Sequence, residues 1–376
     1  MAARLEQPHP YCSAMKHWQE TSRIFQAVAR LADEGRDAAM ATVVRIWGSA
    51  YRRPGAKMLI ADDGALAGCV SGGCLEADVR EVALSVLRTG APRLLHYETG
   101  ADDQKPWGLG LGCNGAVDIF VQPATVAETR EAAGCVRTLL RGDASFTVST
   151  IVGGALGLGR ILVVAANGKL AGSTEDAALD RAIAARARGM LADGSSQLHE
   201  LGSVQVFTEV QVPPPNLLIL GAGEDARPLA LYAAEAGFRV AVVDHRPAYL
   251  EPGHYPVDAR LLHARSDDPS ADLPLGPQTY AVVKTHSLAH DREWIRRLLA
   301  SEVPYIGVLG PRARIEEALR QVGAEGDDRV FGPVGLDLGA EGPEQIALSI
   351  VAELLAAWSG REPRHLRQKE GVIHAG

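Results

Sequence analysis

The stretch from Val212 to Asp244 restricts the possible folds more than any other part of the chain. Val212-Pro213-Pro214-Pro215 is a stiff, extended linker. Directly after it, Asn216 to Leu220 reads as a short buried strand, Gly221-Ala-Gly223-Glu-Asp-Ala226 as a turn, and Arg227 to Ala236 as a helix. Phe238 to Val243 then reads as a second strand ending at Asp244. A strand, a glycine turn, a helix and an acid 23 residues after the first glycine form the dinucleotide-binding fingerprint, whose third position tolerates alanine. The pattern demands a parallel sheet with helices on its faces. It places a pyrophosphate at the helix amino terminus over Gly221 and Gly223, and a ribose diol at Asp244, where His245 and Arg246 leave a 2′-phosphate possible.

Further α/β units follow, with strands at Tyr280 to Lys284 and Tyr305 to Leu309 and helices at Asp291 to Ala300 and Arg312 to Val322. Parallel sheets bind ligands at the carboxyl ends of their strands, so Thr285, His286, Gly310 and Arg312 join the candidate contacts. His286 and His290 have i, i+4 spacing but start in a loop, and are not read as a metal pair. A helix opened by Pro343 and running to Trp358 is apolar all round, which predicts burial on every side.

A chain of 376 residues is long for one core. The expected division is a flexible N-terminus (1–15), an N-terminal α+β domain (16–212), a Rossmann-like C-terminal domain (213–360) and a flexible tail (361–376). The formal net charge of -8 argues against nucleic acid as a partner. No apolar run approaches a membrane span, and residues 1–10 lack the apolar stretch of a signal peptide. Five scattered cysteines, Cys12, Cys69, Cys74, Cys113 and Cys135, fit free thiols in a reducing cytoplasm.

The N-terminal domain contains an internal repeat. A helix from His17 to Glu34 leads into strands at Ala39 to Trp47, Lys57 to Ala61 and Ala65 to Val70, the last two flanking the turn Asp62-Asp63-Gly64. Lys57 to Gly68 is echoed by Ile161 to Gly172, and the echo keeps one register over 42–87 against 146–191. Only the first copy carries Ser49, Arg52 and Arg53 in the loop Gly48 to Gly55, a loop that suits an anion or a solvated crossover equally. Only the first copy carries Val70-Ser71-Gly72-Gly73-Cys74-Leu75-Glu76; Cys74 meets Ala178 in the second.

A lone cysteine in a strand-to-helix turn is ordinarily a small buried hydrophobe. Here it precedes an amphipathic helix whose dipole favours a thiolate, and Gly72 and Gly73 let a bulky group approach. A second cysteine-bearing turn, Trp107 to Gly115 around Cys113, places four glycines in eight residues. Two such turns suggest a shared cleft.

These segments, Gly48 to Met58, Gly68 to Glu76, Gly110-Leu111-Gly112-Cys113, Tyr305 to Gly310, and Pro333 to Gly339 followed by Pro343-Glu344 and Ile346 to Ile350, resemble the XdhC/CoxI family of xanthine dehydrogenase accessory proteins. The likeness covers nearly the whole chain outside its tails. Asn114 replaces a frequent glycine, and Glu341-Gly342 stands where a threonine often precedes the proline.

The resemblance implies a molybdenum-cofactor chaperone that supports sulfuration of the cofactor with a cysteine desulfurase. It would deliver the product to a xanthine dehydrogenase-type molybdenum hydroxylase. In that frame Cys74, Glu76 and Cys113 are the reactive candidates, with Cys74 as the contact to molybdenum. Ser49, Arg52, Arg53, Gly72, Gly73, Gly221, Gly223 and Asp244 hold molybdopterin or its dinucleotide form, and a homodimer is the expected assembly. The alternative is an NAD(P)-dependent oxidoreductase using Cys74 or His286. It is weakened by the lack of an evident proton relay, such as a paired Lys and Tyr, in the N-terminal domain.

Overall fold

The computed structural model describes residues 14–48, 51–98 and 115–369. They fall into two compact units, Lys16–Pro213 and Pro214–Lys369.

The first unit is built twice over. α1 (Ala14–Asp33), β1 (Ala38–Gly48), β2 (Lys57–Ala61), β3 (Leu66–Gly68), α2 (Glu76–Thr89), β4 (Arg93–Glu98) and β5 (Gly115–Pro123) form the first copy. α3 (Ala127–Leu139), β6 (Phe146–Gly153), β7 (Ile161–Ala165), β8 (Leu170–Ala171), α4 (Ala177–Asp193), β9 (Gln197–Leu201) and β10 (Val204–Gln211) form the second. The strand orders correspond, β3-β2-β1-β5-β4 and β8-β7-β6-β10-β9, with antiparallel neighbours throughout. The stretch of sequence likeness therefore sits inside a larger structural repeat that takes in the leading helix and the last two strands.

Steric need explains which letters survived in both copies. Gly68 and Gly172 both have positive φ, 81° and 79°. A Cβ would come within 2.4 Å of the Lys57 carbonyl oxygen in one copy and 2.1 Å of the Ile161 carbonyl oxygen in the other. No other residue fits between the turn and the neighbouring strand.

Packing follows the strand period of two. Ala39, Ala41, Val43, Met58, Ile60, Ile119 and Val121 face Val79, Ala83 and Val86 of α2. In the second sheet Ile151, Leu162, Val164 and Val206 face Ile183, Ala184 and Ala187 of α4. The opposite sides of both sheets share a core with Trp18, Phe25 and Val28 of α1 and Ala132 and Val136 of α3. The Trp18 indole N–H donates to the Leu140 carbonyl at 3.2 Å across that seam.

The second unit is a six-stranded parallel sheet built from β11 (Asn216–Leu220), β12 (Arg239–Asp244), β13 (Arg260–His263), β14 (Thr279–Val283), β15 (Tyr305–Val308) and β16 (Val330–Phe331). Its order is β13-β12-β11-β14-β15-β16. This is the doubly wound dinucleotide-fold order, which opens a crevice where the winding reverses between β11 and β14. Leu217 to Leu220 are fully buried because helices cover both faces. α5 (Ala226–Ala236) and α8 (Gly342–Ser359) lie on one face, α6 (Leu288–Leu299) and α7 (Arg312–Val322) on the other.

The expectation that the last helix is buried on every side is corrected. α8 buries Ala347, Ile350, Val351, Leu354 and Trp358 but leaves Leu348 and Leu355 exposed. A helix in an outer layer has one neighbour layer, so its far side faces solvent whatever its composition.

Candidate functional site

Antiparallel topology gathers the distinctive loops of the first copy. Gly48 at the end of β1 pairs with Gly115 at the start of β5, Lys57 at the start of β2 pairs with Thr42, and Gly68 at the end of β3 pairs with Met58. The stretches 51–56 and 69–75, the anchor residue Gly48, and the anchor residues Glu98 and Gly115 of the stretch 99–114 therefore share one edge of the first sheet. The matching edge of the second sheet carries 154–160, 172–176 and the two-residue turn Gly202-Ser203, with no cysteine. Ser49 and Cys113 lie outside the described residues.

Cys74 is exposed. It stands just before Leu75, the N-cap of α2, whose own side chain makes no capping bond, and the carboxylates of Glu76 and Asp78 occupy the first turn behind it. The Ser71 hydroxyl is the hub beneath it. Its oxygen receives the backbone N–H groups of Gly73 at 3.2 Å and Leu75 at 3.1 Å and lies 3.6 Å from Cys74 Sγ, while its own proton goes to Glu76. Glu76 Oε1 also accepts from the Ser71 N–H at 2.8 Å and the Val70 N–H at 3.3 Å. Burial pushes the Glu76 carboxyl up, but the Ser71 hydroxyl and these N–H groups outweigh it and hold its pKa below the usual range.

The second copy separates fold from function here. Asp180, in register with Glu76, accepts from the Thr174 N–H at 2.8 Å, the Thr174 hydroxyl at 2.6 Å and the Ser173 hydroxyl at 2.7 Å. Both copies thus use a first-turn carboxylate to clamp the preceding loop, whereas only the first adds a thiol. Gly73 is likewise special to the first copy. It has φ of 113°, and nothing lies within 4 Å of where its Cβ would be, so the backbone leaves room beside Cys74. Gly72 lies against the Tyr51 ring, 3.5 Å from its Cβ position, and Tyr51 is itself 78% exposed.

The two arginines are placed differently. Arg52 forks onto both oxygens of Glu20 on α1. Burial would lower its pKa, but the Glu20 carboxylate more than offsets this and the net shift is upward. Arg53 is half-buried in the same loop, and its carbonyl accepts from the Ala56 N–H at 3.0 Å. Under the loop, Lys57 Nζ donates to the Gly55 carbonyl at 2.9 Å and to Glu209 Oε2 at 2.5 Å, and His17 Nε2 meets Glu209 Oε1 at 2.8 Å. Glu209 belongs to β10, so the second copy supplies the floor of the first copy's loop.

In the second unit Gly221 has φ of 117°, and a Cβ there would come 2.6 Å from the Lys284 carbonyl oxygen, so the turn after β11 presses against the end of β14. Asp244 departs from its expected role. Its carboxylate is buried and satisfied by its own chain: Oδ2 accepts from the Ala222 N–H at 2.8 Å and from Arg246 Nη2 at 3.0 Å. Oδ1 accepts from the Arg246 N–H at 2.8 Å and Nε at 2.9 Å. Burial raises the carboxyl, but these donors outweigh it and pull its pKa down to about 2.

Thr285 donates its hydroxyl to Asp291 at 2.5 Å, a third use of the first-turn clamp. His286, with positive φ of 59°, faces Asp225, whereas His290 bonds Ser266 at 2.8 Å, so the two histidines do not converge. Among the described residues no group of three or more His, Cys, Asp or Glu side chains is placed to hold a metal. A small depression, with room for no more than about a water molecule, is lined by Gly221, Asp244, His245, Ser266, Thr285 and His290. Gly310 and Arg312 fall at the end of β15 and the start of α7, where Arg312 is exposed.

Sequence reasoning passed over Glu20, Tyr51, Glu209, Asp225 and Lys284. Only Lys284 carried a readable signal, an ionisable residue closing an otherwise apolar buried strand. The others depend on partners far away in the chain.

The sequence pattern described as the XdhC and CoxI family matches residues 31–98, and that of the XdhC Rossmann domain matches residues 217–354. A Bacillus subtilis protein described as a probable xanthine dehydrogenase subunit is 33% identical over 328 residues, covering 86% of this chain and 94% of the relative. A crystal structure described as a xanthine dehydrogenase from Bacillus halodurans superposes with a TM-score of 0.73 at 28% identity, covering 90% of this chain and 96% of that one. The molybdenum cofactor insertion chaperone PaoD of Escherichia coli is 31% identical over 130 residues, 32% of this chain and 40% of that protein. With both family patterns matched in order and a relative aligned along nearly its whole length, the chain belongs to the XdhC and CoxI family.

Proposed function

We propose that this protein is an accessory chaperone that carries molybdenum cofactor to a xanthine dehydrogenase-type hydroxylase and holds it while a cysteine desulfurase supplies the sulfur ligand. The observation that carries the reading is the exposed Cys74 at the edge where the first copy's special loops gather, in a repeat whose second copy keeps the clamp and lacks the thiol. A soft thiolate suits molybdenum or sulfur, and the open space beside Gly73 admits a bulky group. Cys74 contacts the metal or the transferred sulfur. Glu76 acts through Ser71 to fix the loop, and Tyr51 offers an exposed ring next to Gly72. Arg53 and Ser49 remain candidate polar contacts to the cofactor, with Arg52 bracing their loop through Glu20. Cys113 and a homodimeric assembly belong to the same proposal.

The test is the Cys74→Ala variant, purified anaerobically from cells that make the cofactor. Molybdenum content is expected to fall at least about tenfold, with activation of the recipient hydroxylase falling in parallel. Unchanged values of both would remove Cys74 from the mechanism.

The strand order and glycine turn of the second unit favour a second reading, an NAD(P)-dependent oxidoreductase. Asp244 weighs against it, because a ribose diol would have to displace Arg246 and backbone donors to reach the carboxylate. Saturable NADH fluorescence with turnover of a carbonyl or hydroxyl substrate would favour this reading over the chaperone.

A further inference from the structure

The crevice of the second unit holds three ionisable side chains that neither the sheet nor the glycine turn requires. Lys284 follows the apolar run Tyr280 to Val283, and its side chain is only 1% exposed. Its ammonium donates to Asp225 Oδ1 at 2.6 Å, and His286 Nε2 lies 3.8 Å from the same oxygen. Asp225 is the N-cap of α5 yet bonds none of that helix's free N–H groups, the usual task of a carboxylate there. It lies instead over the second glycine of the turn. A Cβ on Gly223 would be 2.8 Å from Asp225 Oδ1, 3.5 Å from His286 Nε2 and 3.8 Å from Lys284 Nζ. The space that a bare glycine opens to a pyrophosphate therefore holds a carboxylate clasped by a lysine and a histidine.

We propose that the Asp225 carboxylate is a built-in stand-in for a phosphoryl group, and that the Lys284 ammonium, with the His286 ring beside it, is the site that a phosphate or pyrophosphate takes over when Asp225 turns outward. The geometry suits an exchange. The Asp225 side chain is 24% exposed and so has a path to solvent, whereas Lys284 is enclosed. Burial of the ammonium lowers the Lys284 pKa despite Asp225, so the lysine gains from a stronger anion than one carboxylate. A filled space alone would be served better by an apolar side chain than by a buried ion pair. Since Asp244 is already satisfied by Arg246 and the backbone, the grip on a ligand lies in its phosphate and not in its ribose. The inference deepens the proposed function only by naming the phosphate-bearing end of the cargo, and its test involves no molybdenum.

The experiment is calorimetric titration of the full chain, purified from cells that do not make the cofactor, with inorganic pyrophosphate, ADP and NADH. Asp225→Asn is expected to tighten pyrophosphate binding at least about tenfold by removing the competing charge. Glu224→Gln makes the same charge change on the neighbouring side chain, which is 85% exposed, and is expected to shift affinity by less than about threefold. Lys284→Gln is expected to weaken binding at least about tenfold. If thermal unfolding shows that this variant does not fold, the Asp225 and Glu224 pair decides the matter alone. ADP and NADH are expected to bind within about threefold of pyrophosphate. Equal effects of Asp225→Asn and Glu224→Gln, weaker binding by Asp225→Asn, or no heat from either the parent or Asp225→Asn at millimolar pyrophosphate would each overturn the proposal. A null result for Cys74→Ala would leave these isotherms untouched, so the two ideas fail separately.

Discussion

Glu209→Gln is expected to cost about 3–5 kcal/mol of stability, because it strips the partner from a buried ammonium. Lys57 and Glu209 have side chains only 4% and 3% exposed, and the carboxylate also holds His17 and Gln211. The substitution keeps the shape and removes the charge, leaving the buried Lys57 ammonium with neutral acceptors only, the Gly55 carbonyl and an amide oxygen. Burial pushes the Glu209 carboxyl up, but Lys57 and His17 outweigh it and hold its pKa at about 2, against 4.5 for the free group. A folded-state pKa below the unfolded one means that the contribution is fully present above about pH 4.5 and is lost as pH falls toward 2. Urea unfolding of the parent and the variant across this range is expected to show their stabilities converging as the solution is acidified. A gap that does not narrow would exclude the ion pair as its source. Because Glu209 lies under the loop of Arg52 and Gly55, a weakened floor is also expected to reduce retention of the proposed cargo.

Gly68→Ala and Gly172→Ala are each expected to lose roughly 3–5 kcal/mol, combining a strained left-handed backbone with a collision against a strand carbonyl. The two losses should agree closely, since φ and the obstructing carbonyl match in the two copies. Gly73→Ala serves as the contrast. Its φ is also positive but its surroundings are open, so the cost is about 1–2 kcal/mol. There the new methyl group enters the space beside Cys74, and molybdenum content is expected to fall more than stability. Denaturant midpoints for the three variants, with metal analysis of the last, check this. Unequal losses at Gly68 and Gly172 would mean that the halves do not share their turn.

The repeat was legible wherever a local steric rule preserved the residue type. The glycines of the hairpins and the apolar alternation of β2 and β7 stay recognisable, whereas α1 against α3 and β5 against β10 do not. Those elements need only an apolar face of suitable period, which many sequences satisfy. The likeness therefore fades at 87 and 191 although the fold continues. Glu76 illustrates the complementary case. Its place in the turn was readable, but its assignment to the fold required seeing Asp180 perform the same clamp in the copy that has no thiol.

Local order along the chain determined the parallel dinucleotide-type sheet, the duplicated hairpins, the helix behind Cys74 and the membership of the family, because each rests on residues within a few turns of one another. Only the tertiary structure decided which charges are already engaged, by distant partners at Arg52, Lys57 and Lys284 and by a near neighbour at Asp244. Arg52 is taken by Glu20, Lys57 by Glu209 and Lys284 by Asp225, while Asp244 is taken by its neighbour Arg246 and a turn N–H. Ion pairing at hydrogen-bond distance depends on where distant segments meet and how far water is excluded, and no spacing in the sequence encodes either.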